Sequence, residues 1–308
     1  MGRALLTGVT GTLGTALQPR LREAGHDVRA ASRSPPHERV WDASTERVGD
    51  ASTERVGNAS TGRATDARTP TPRDDDSRAG QGGDLEWVEL DLADGTGLER
   101  AVEGVDVVVH AASAPRGDSK TVDVEGTEAL CEAAAAAGVS HLCYVSIVGV
   151  DEIPYSYYEH KLAAERHVEA SSVPSTIVRI TQFHEFVYEL LGALGRLPVW
   201  PLPTKFRLQP IDVGEAADAI VELVEGEPVG RAAPVGGPEV RTAGELARAY
   251  REARSSRRPI VRLPIPGSVA AGFRSGAACC PDRAVGRCTW EQWLNRRLHP
   301  DATEVSER

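Results

Sequence analysis

The chain has 308 residues, 41% of them hydrophobic and 26% charged, with a formal net charge of −10. A chain of this size buries a full core as one large domain, or as one domain with a small lobe. The acidic balance speaks against a nucleic-acid partner, and no apolar run reaches the length of a membrane span. No basic start with a cleavable apolar region is visible, so the expected location is the cytoplasm. The five cysteines, Cys131, Cys143, Cys279, Cys280 and Cys288, are an odd set. Adjacent Cys279 and Cys280 are poorly placed to share one tetrahedral site, and no histidine pair stands nearby at ligand spacing. Neither a disulfide framework nor a metal centre is expected.

The first apolar run, Ala4-Leu5-Leu6, ends at Thr7, and glycines follow at Gly8, Gly11 and Gly14. A helix-like stretch from Thr15 to Ala24 is closed by Gly25. The order is strand, tight glycine turn, helix. Such a turn lacks side chains that block a ligand, and the helix beyond it offers free N–H groups and a positive dipole end, a seat for a pyrophosphate. Gly8 permits the turn, Gly11 the approach of the phosphates, and Gly14 the packing of helix on strand.

His26 to Ala31 reads as the second strand, followed by Ser32-Arg33-Ser34. In dinucleotide folds an acid at this strand end holds the ribose 2′-hydroxyl of NAD, and an arginine accommodates the 2′-phosphate of NADP. Here no acid is present and Arg33 is, so NADP is the expected cofactor, with NAD as the alternative. The pattern then breaks. Residues 43–50 repeat as 51–58 and more loosely as 59–66, and 69–83 is rich in Pro, Asp, Arg and Gly. With almost no large apolar residues, 43–83 is expected to be a disordered insertion.

The third strand is Leu85 to Leu90, and Asp91 just beyond it is positioned to contact an adenine ring or to cap the next helix. Val105 to His110 is nearly continuous in apolar residues, as a strand buried on both faces requires. It opens into the small residues Ala111-Ala112-Ser113, which allow close approach of a ribose and its phosphate. A long helix, about Lys120 to Ala137, stops at Gly138. His141 to Ile147 is the fifth strand, Tyr157 to Ala170 a helix, and Ser175 to Ile180 the sixth strand. This alternation predicts an α/β fold, a Rossmann-type doubly wound parallel sheet. Beyond residue 186 the pattern loosens. Leu197 to Pro203 reads as a proline-rich turn region, and Phe206 to Ile211 and Arg257 to Pro264 as extended. Asp212 to Val224 reads as helix, Thr242-Ala-Gly-Glu245 as a capping box opening a helix to about Arg254, and Thr289 to Arg297 as a closing amphipathic helix. The expected domains are 1–186 for nucleotide binding and 187–308 for a small C-terminal substrate lobe.

Ser146, Tyr157 and Lys161 could converge at the sheet's C-terminal edge. Tyr157 and Lys161 are four apart on one helix and share a face. A neighbouring ammonium lowers the pKa of a phenol, which then serves as acid toward a carbonyl or base toward an alcohol. Ser146 would hold the substrate oxygen. Tyr155 and Tyr158 compete for the tyrosine's role.

Thr7-Gly-Val-Thr-Gly-Thr-Leu-Gly14, Ser146 and Tyr157-Tyr-Glu-His-Lys161 resemble the short-chain dehydrogenase/reductase superfamily, closest to its extended and atypical branches with NmrA-like and complex-I-accessory-subunit-like NAD(P)-binding proteins. Val122 to Thr127, Arg179 to Phe183 and Gln209 to Val213 fit the same branch. The resemblance covers nearly all of the chain except 43–83. It implies an NAD(P)-binding oxidoreductase with Ser146, Tyr157 and Lys161 as catalytic set. The expected cofactor contacts are Thr7, Gly8, Thr10, Gly11, Thr12, Leu13, Gly14, Arg33, Asp91, Leu92, Ala111, Ala112, Ser113, Lys161, Thr181 and Gln182. Two departures stand out: Asp123 where the superfamily often has asparagine on the central helix, and Thr181-Gln182 in place of a Pro-Gly pair. The partner is expected to be a small carbonyl, alcohol or quinone-like substrate, and Lys120–Ala137 with Tyr157–Ala170 could form a homodimer contact. Two other functions compete: a non-catalytic NAD(P)-binding redox sensor or accessory subunit, and a nucleotide-sugar epimerase or dehydratase, for which Arg196, Lys205 and Arg207 are the candidate diphosphate contacts.

Overall fold

The computed structural model describes residues 2–35 and 85–299. The insertion expected at 43–83 lies outside the described residues. The chain opens with β1 (Arg3–Thr7), α1 (Thr12–Glu23) and β2 (Asp27–Ser32). It continues with β3 (Glu86–Glu89), α2 (Leu98–Val102) and β4 (Val107–His110). A π-helical turn, Lys120–Glu125, leads into α3 (Gly126–Ala136), and then come β5 (His141–Ile147), α4 (Ser156–Ala170) and β6 (Ser175–Ile180).

These strands join in the order β3-β2-β1-β4-β5-β6, all parallel. The order reverses between β1 and β4, so their C-terminal ends open a crevice where ligands bind in such sheets. β1 and β4 are almost wholly buried, as apolar strands covered on both faces must be. One face packs Leu5, Val108, Leu142 and Tyr144 against α2, α3 and α4 through residues such as Ala101, Leu130 and Ala164. The other packs Leu6, Val109 and Cys143 against Leu13, Leu17 and Leu21 of α1.

The later half contributes α5 (His184–Leu194), β7 (Trp200–Leu202), β8 (Arg207–Leu208), α6 (Val213–Glu225) and β9 (Gly230–Arg231). After them come β10 (Arg241–Thr242), α7 (Ala243–Ala253), β11 (Ile260–Arg262), α8 (Ser268–Ser275) and α9 (Trp290–Leu298). Two of these belong to the Rossmann layers. β9 extends the main sheet beside β6, and Ala216, Ala217, Ile220 and Val224 of α6 complete the core under α1. The boundary expected at residue 186 therefore does not separate the packing. α5, β7, α7 and α9 enclose a second core of Val187, Leu191, Trp200, Leu246, Tyr250, Trp290 and Trp293, and α8 packs on Ile153 and Tyr158.

The stretch expected to be a proline-rich turn contains β7, which pairs in parallel with β11. The single helix expected over Lys120–Ala137 is a π turn followed by α3, with the Gly126 N–H bonded back to the Thr121 carbonyl. Among the described residues no helix is long and apolar enough to cross a membrane.

Candidate active site

The glycine turn at the end of β1 has the geometry its spacing predicts. Gly8 has φ +72°, and a Cβ there would lie 2.7 Å from the Ala112 nitrogen. Only glycine lets β1 pass this close to the loop after β4. A Cβ on Gly14 would collide with the Gly8 carbonyl, so α1 seats directly on the turn. At Gly11 a Cβ would meet only the Gly8 oxygen, at 3.2 Å, and Thr10, Gly11 and Thr12 are exposed. No side chain caps α1 at Gly11, so its first N–H groups are left without a side-chain cap. A wall without side chains that ends in uncapped N–H groups fits a pyrophosphate.

Around this cradle stand the other expected contacts. Arg33 is exposed immediately beyond β2. Asp91 does not cap a helix; its carboxylate accepts from the Ala93 N–H at 2.9 Å and shapes the turn after β3. Leu92 is buried, and its carbonyl lies 2.5 Å from where a Cβ on Gly126 would sit. The Ala112 N–H donates to Thr7 Oγ1 at 3.3 Å. Thr181 is buried and accepts from the Gly237 N–H at 3.2 Å. Gln182 donates to the Ala278 carbonyl at 3.2 Å and accepts from the Gln209 N–H at 3.3 Å. These two residues tie the end of β6 to the C-terminal half rather than leaving an open Pro-Gly-like turn.

Ser146 does not join Tyr157. It lies on β5 with the parity of Leu142 and Tyr144, which face the α3–α4 layer, and side chains alternate along a strand. It is buried there and donates to Glu165 at 2.5 Å. Glu165, fully buried on α4, is also held by Arg179 at 2.8 and 2.9 Å and by Arg231 at 2.7 Å. Burial alone would raise the Glu165 pKa, but the bonds from Arg179, Ser146 and Arg231 hold it below the usual range.

The hydroxyl that meets Tyr157 is Ser113, at 2.8 Å. Ser113 also donates to Asp123 Oδ1 at 2.6 Å, and the Ala114 N–H donates to Oδ2 at 3.0 Å. Lys161 is buried, with Nζ 3.6 Å from Asp123 Oδ1, bonded to the Val145 carbonyl at 2.9 Å and 4.2 Å from the centre of the Tyr144 ring. Burial holds the lysine pKa down, opposed by Asp123 and Glu165. Burial pushes the Tyr157 phenol up to about 12, and Asp123 adds to the rise. Of the competing tyrosines, Tyr158 is buried against Phe273 and Ile153, and Tyr155 is exposed.

A second buried chain braces the cradle. Thr127 donates to the Asp123 carbonyl at 2.6 Å, so it accepts from His110 Nε2, 2.9 Å away. The other ring nitrogen then accepts from Thr7 at 2.7 Å. This hydrogen count fixes the neutral tautomer of His110, whose pKa burial and Lys161 lower to about 3. Sequence reasoning singled out Asp123 only as a departure and missed both His110 and Glu165. The helical spacing of Lys161 and Glu165, four apart on α4, was the available signal for the latter.

Residues 55–189 match the family described as NAD(P)H-binding. The matched span starts past the glycine turn, which the fold supports independently. No curated protein matches this chain. An Escherichia coli NADPH-dependent quinone oxidoreductase, solved with NADPH, superposes with TM-score 0.70 at 16% identity over 96% of this chain and 100% of its own. A Staphylococcus aureus nucleoside-diphosphate-sugar epimerase gives 0.67 at 18% over 95% and 99%. A short-chain dehydrogenase/reductase superfamily protein from Agrobacterium tumefaciens with bound NAD gives 0.62 at 18% over 99% and 98%. The fold is a Rossmann-type parallel α/β sheet, and residues 55–189 of the chain carry the similarity to the NAD(P)H-binding family.

Proposed function

We propose that the protein is an NADP(H)-preferring oxidoreductase that acts on a small carbonyl, alcohol or quinone-like substrate, with Tyr157 as the proton-transfer group. The observation that carries this reading is the Tyr157–Ser113 bond at 2.8 Å, because Ser113 follows the backbone nitrogen of Ala112, which is pinned to Thr7 beside Gly8. The proton donor thus adjoins the nucleotide cradle. The residues that would hold the dinucleotide are Thr7 to Gly14 at the pyrophosphate, Arg33 at a 2′-phosphate, Asp91 and Leu92 near the adenine, and Ala111 to Ser113 with Thr181 and Gln182 toward the nicotinamide. A bound nicotinamide supplies or accepts the hydride. Tyr157, protonated at neutral pH, gives its proton to the substrate oxygen.

A second reading, a dinucleotide-binding protein without turnover, draws on one observation: Lys161 directs its ammonium to Val145, Asp123 and the Tyr144 ring. Fluorescence titration with NADPH and NADH, comparing the natural protein with Arg33→Ala and Gly11→Asp, tests the cofactor. We expect an NADPH preference that Arg33→Ala abolishes and a loss of binding in Gly11→Asp. NADPH consumption with carbonyl and quinone acceptors, lost in Tyr157→Phe, tests the chemistry. Tight NADPH binding with no turnover on any acceptor would select the second reading.

A further inference from the structure

We propose that Ser113 and Asp123 are positioning residues for Tyr157. The ordered chain from Tyr157 through Ser113 to Asp123, closed by Lys161, holds the tyrosine as a proton donor and sets the site to reduce carbonyl groups. The inference rests on the reading of Tyr157 as the proton-transfer group.

The polarity of the chain follows from counting hydrogens. A serine hydroxyl has one hydrogen to give, and an ionised carboxylate only accepts. Ser113 gives its hydrogen to Asp123 Oδ1 at 2.6 Å, a charge-assisted bond. Its 2.8 Å contact with Tyr157 must therefore be accepted from the tyrosine O–H. The carboxylate is held at both oxygens: Oδ2 takes the Ala114 N–H, and Lys161 Nζ stands 3.6 Å from Oδ1, while Thr127 donates to the Asp123 main-chain carbonyl. Both charges are almost entirely buried, so the pair stays together. Asp123 lies in the π-helical turn, a local widening of the helix that often marks functional positions.

A carboxylate one hydroxyl away opposes a negative charge on Tyr157. The other titratable groups around the phenol are Tyr144 on β5 and Tyr155 and Tyr158 beside it on the chain, while Lys161 lies behind Asp123. Alcohol oxidation needs the phenolate as base, and this arrangement disfavours it. Reduction needs the phenol as acid, and this arrangement keeps it. During reduction the carbonyl carbon takes the hydride that a bound nicotinamide would supply, and the Tyr157 hydrogen leaves Ser113 for the substrate oxygen: the Tyr157 O–H bond breaks and the O–H bond of the product alcohol forms. The phenolate regains a proton from solvent as the product leaves.

The test needs no turnover. Tyrosine ring-labelled protein is titrated by carbon NMR, with Tyr157 identified by the signal lost in Tyr157→Phe. Asp123→Asn removes the opposing charge and gives Ser113 a donor to accept from, so Ser113 can turn its hydrogen to Tyr157. The Tyr157 midpoint is expected to fall by about one pH unit or more. Ser113→Ala removes the oxygen that accepts from the Tyr157 O–H, a bond that favours the phenol, so the Tyr157 midpoint falls in this variant as well. Ser113→Ala leaves the buried ion pair intact and keeps the test valid if Asp123→Asn does not fold. A fall in both variants supports the relay; no shift, or a rise in either, overturns it. With NADPH and a carbonyl acceptor, the alkaline limit of reduction should move to lower pH in Asp123→Asn, and an unmoved limit counts against the relay. Failure of the natural protein to turn over any acceptor overturns the oxidoreductase reading alone, because the NMR titration still decides the relay.

Discussion

At the scale of single residues, the glycine cradle and the buried histidine give opposite kinds of prediction. Gly14→Ala forces a methyl group into the Gly8 carbonyl, a backbone atom that cannot yield. Gly11→Ala meets one oxygen at 3.2 Å on an exposed rim. Gly14→Ala should therefore lose both stability and nucleotide affinity, and Gly11→Ala chiefly affinity; thermal melts beside NADPH titrations separate the two, and equal melting losses would refute the assignment. His110 is buried neutral with its pKa lowered to about 3. Between its ordinary value near pH ~6.5 and about 3, the unfolded chain binds a proton that the folded chain does not, so stability falls as pH falls. The slope is about 1.4 kcal/mol per pH unit. His110→Gln should melt lower at pH 7 yet lose less on going to pH 4, and parallel curves would sink this account. The glycines were legible in the sequence because each has one physical job. Ser146 misled because strand parity decides which way a side chain points, and a neighbouring charged partner, Glu165, is not visible from spacing to a tyrosine.

At the scale of elements, local chemistry was readable where it is self-contained. The Thr242–Glu245 capping box opens α7 as its four residues predict, and a second box, Thr289 with Gln292, opens α9. Thr242→Ala should cost about 1 kcal/mol in urea unfolding, the usual worth of a cap. Elements that depend on a distant partner were not readable. β7 carries Pro201 yet forms a strand, because it pairs on one side only, with β11. The π turn before α3 carries no mark of its own in the sequence; Gly126, just past it, fits only because the Leu92 carbonyl leaves no room for a Cβ. The Glu165 cluster joins α4, β5, β6 and β9 through Ser146, Arg179 and Arg231. Glu165→Ala leaves Arg179 with Asp151 alone and Arg231 with Glu169 alone, and should cost about 1.5–3 kcal/mol through the lost charged hydrogen bonds. Urea unfolding measures it, and a loss below about 1 kcal/mol would show that water replaces the carboxylate freely.

At the scale of the whole molecule, the sheet order was legible because strands and helices alternate through β6, and right-handed crossovers then leave few topologies. The division between halves was not legible. β9 is two exposed residues, Gly230 and Arg231, with no apolar pattern to announce a strand. α6 has the stripe of any surface helix, and nothing in its sequence says that the surface it covers is α1. Yet Ala216, Ala217, Ile220 and Val224 meet Leu13, Leu17 and Leu21 in one core. Arg20 pairs with Asp218 across the same junction, and Thr181 and Gln182 bind residues beyond 208. A fragment ending at residue 186 would leave that face of α1 without its cover and β6 as an open sheet edge, a combination that favours aggregation over folding. The full chain should therefore unfold in one transition seen alike by tryptophan fluorescence of a Trp41→Phe, Trp87→Phe chain, which keeps only Trp200, Trp290 and Trp293 of the second core, and by far-UV circular dichroism, which reports the whole. If NADPH binds at the glycine turn as proposed, it should stabilise both probes' transitions together, by about 2.7 kcal/mol at a hundredfold excess over its Kd. A tryptophan transition that precedes the loss of secondary structure and ignores NADPH would show instead that the halves are separate, and that residue 186 is a true boundary.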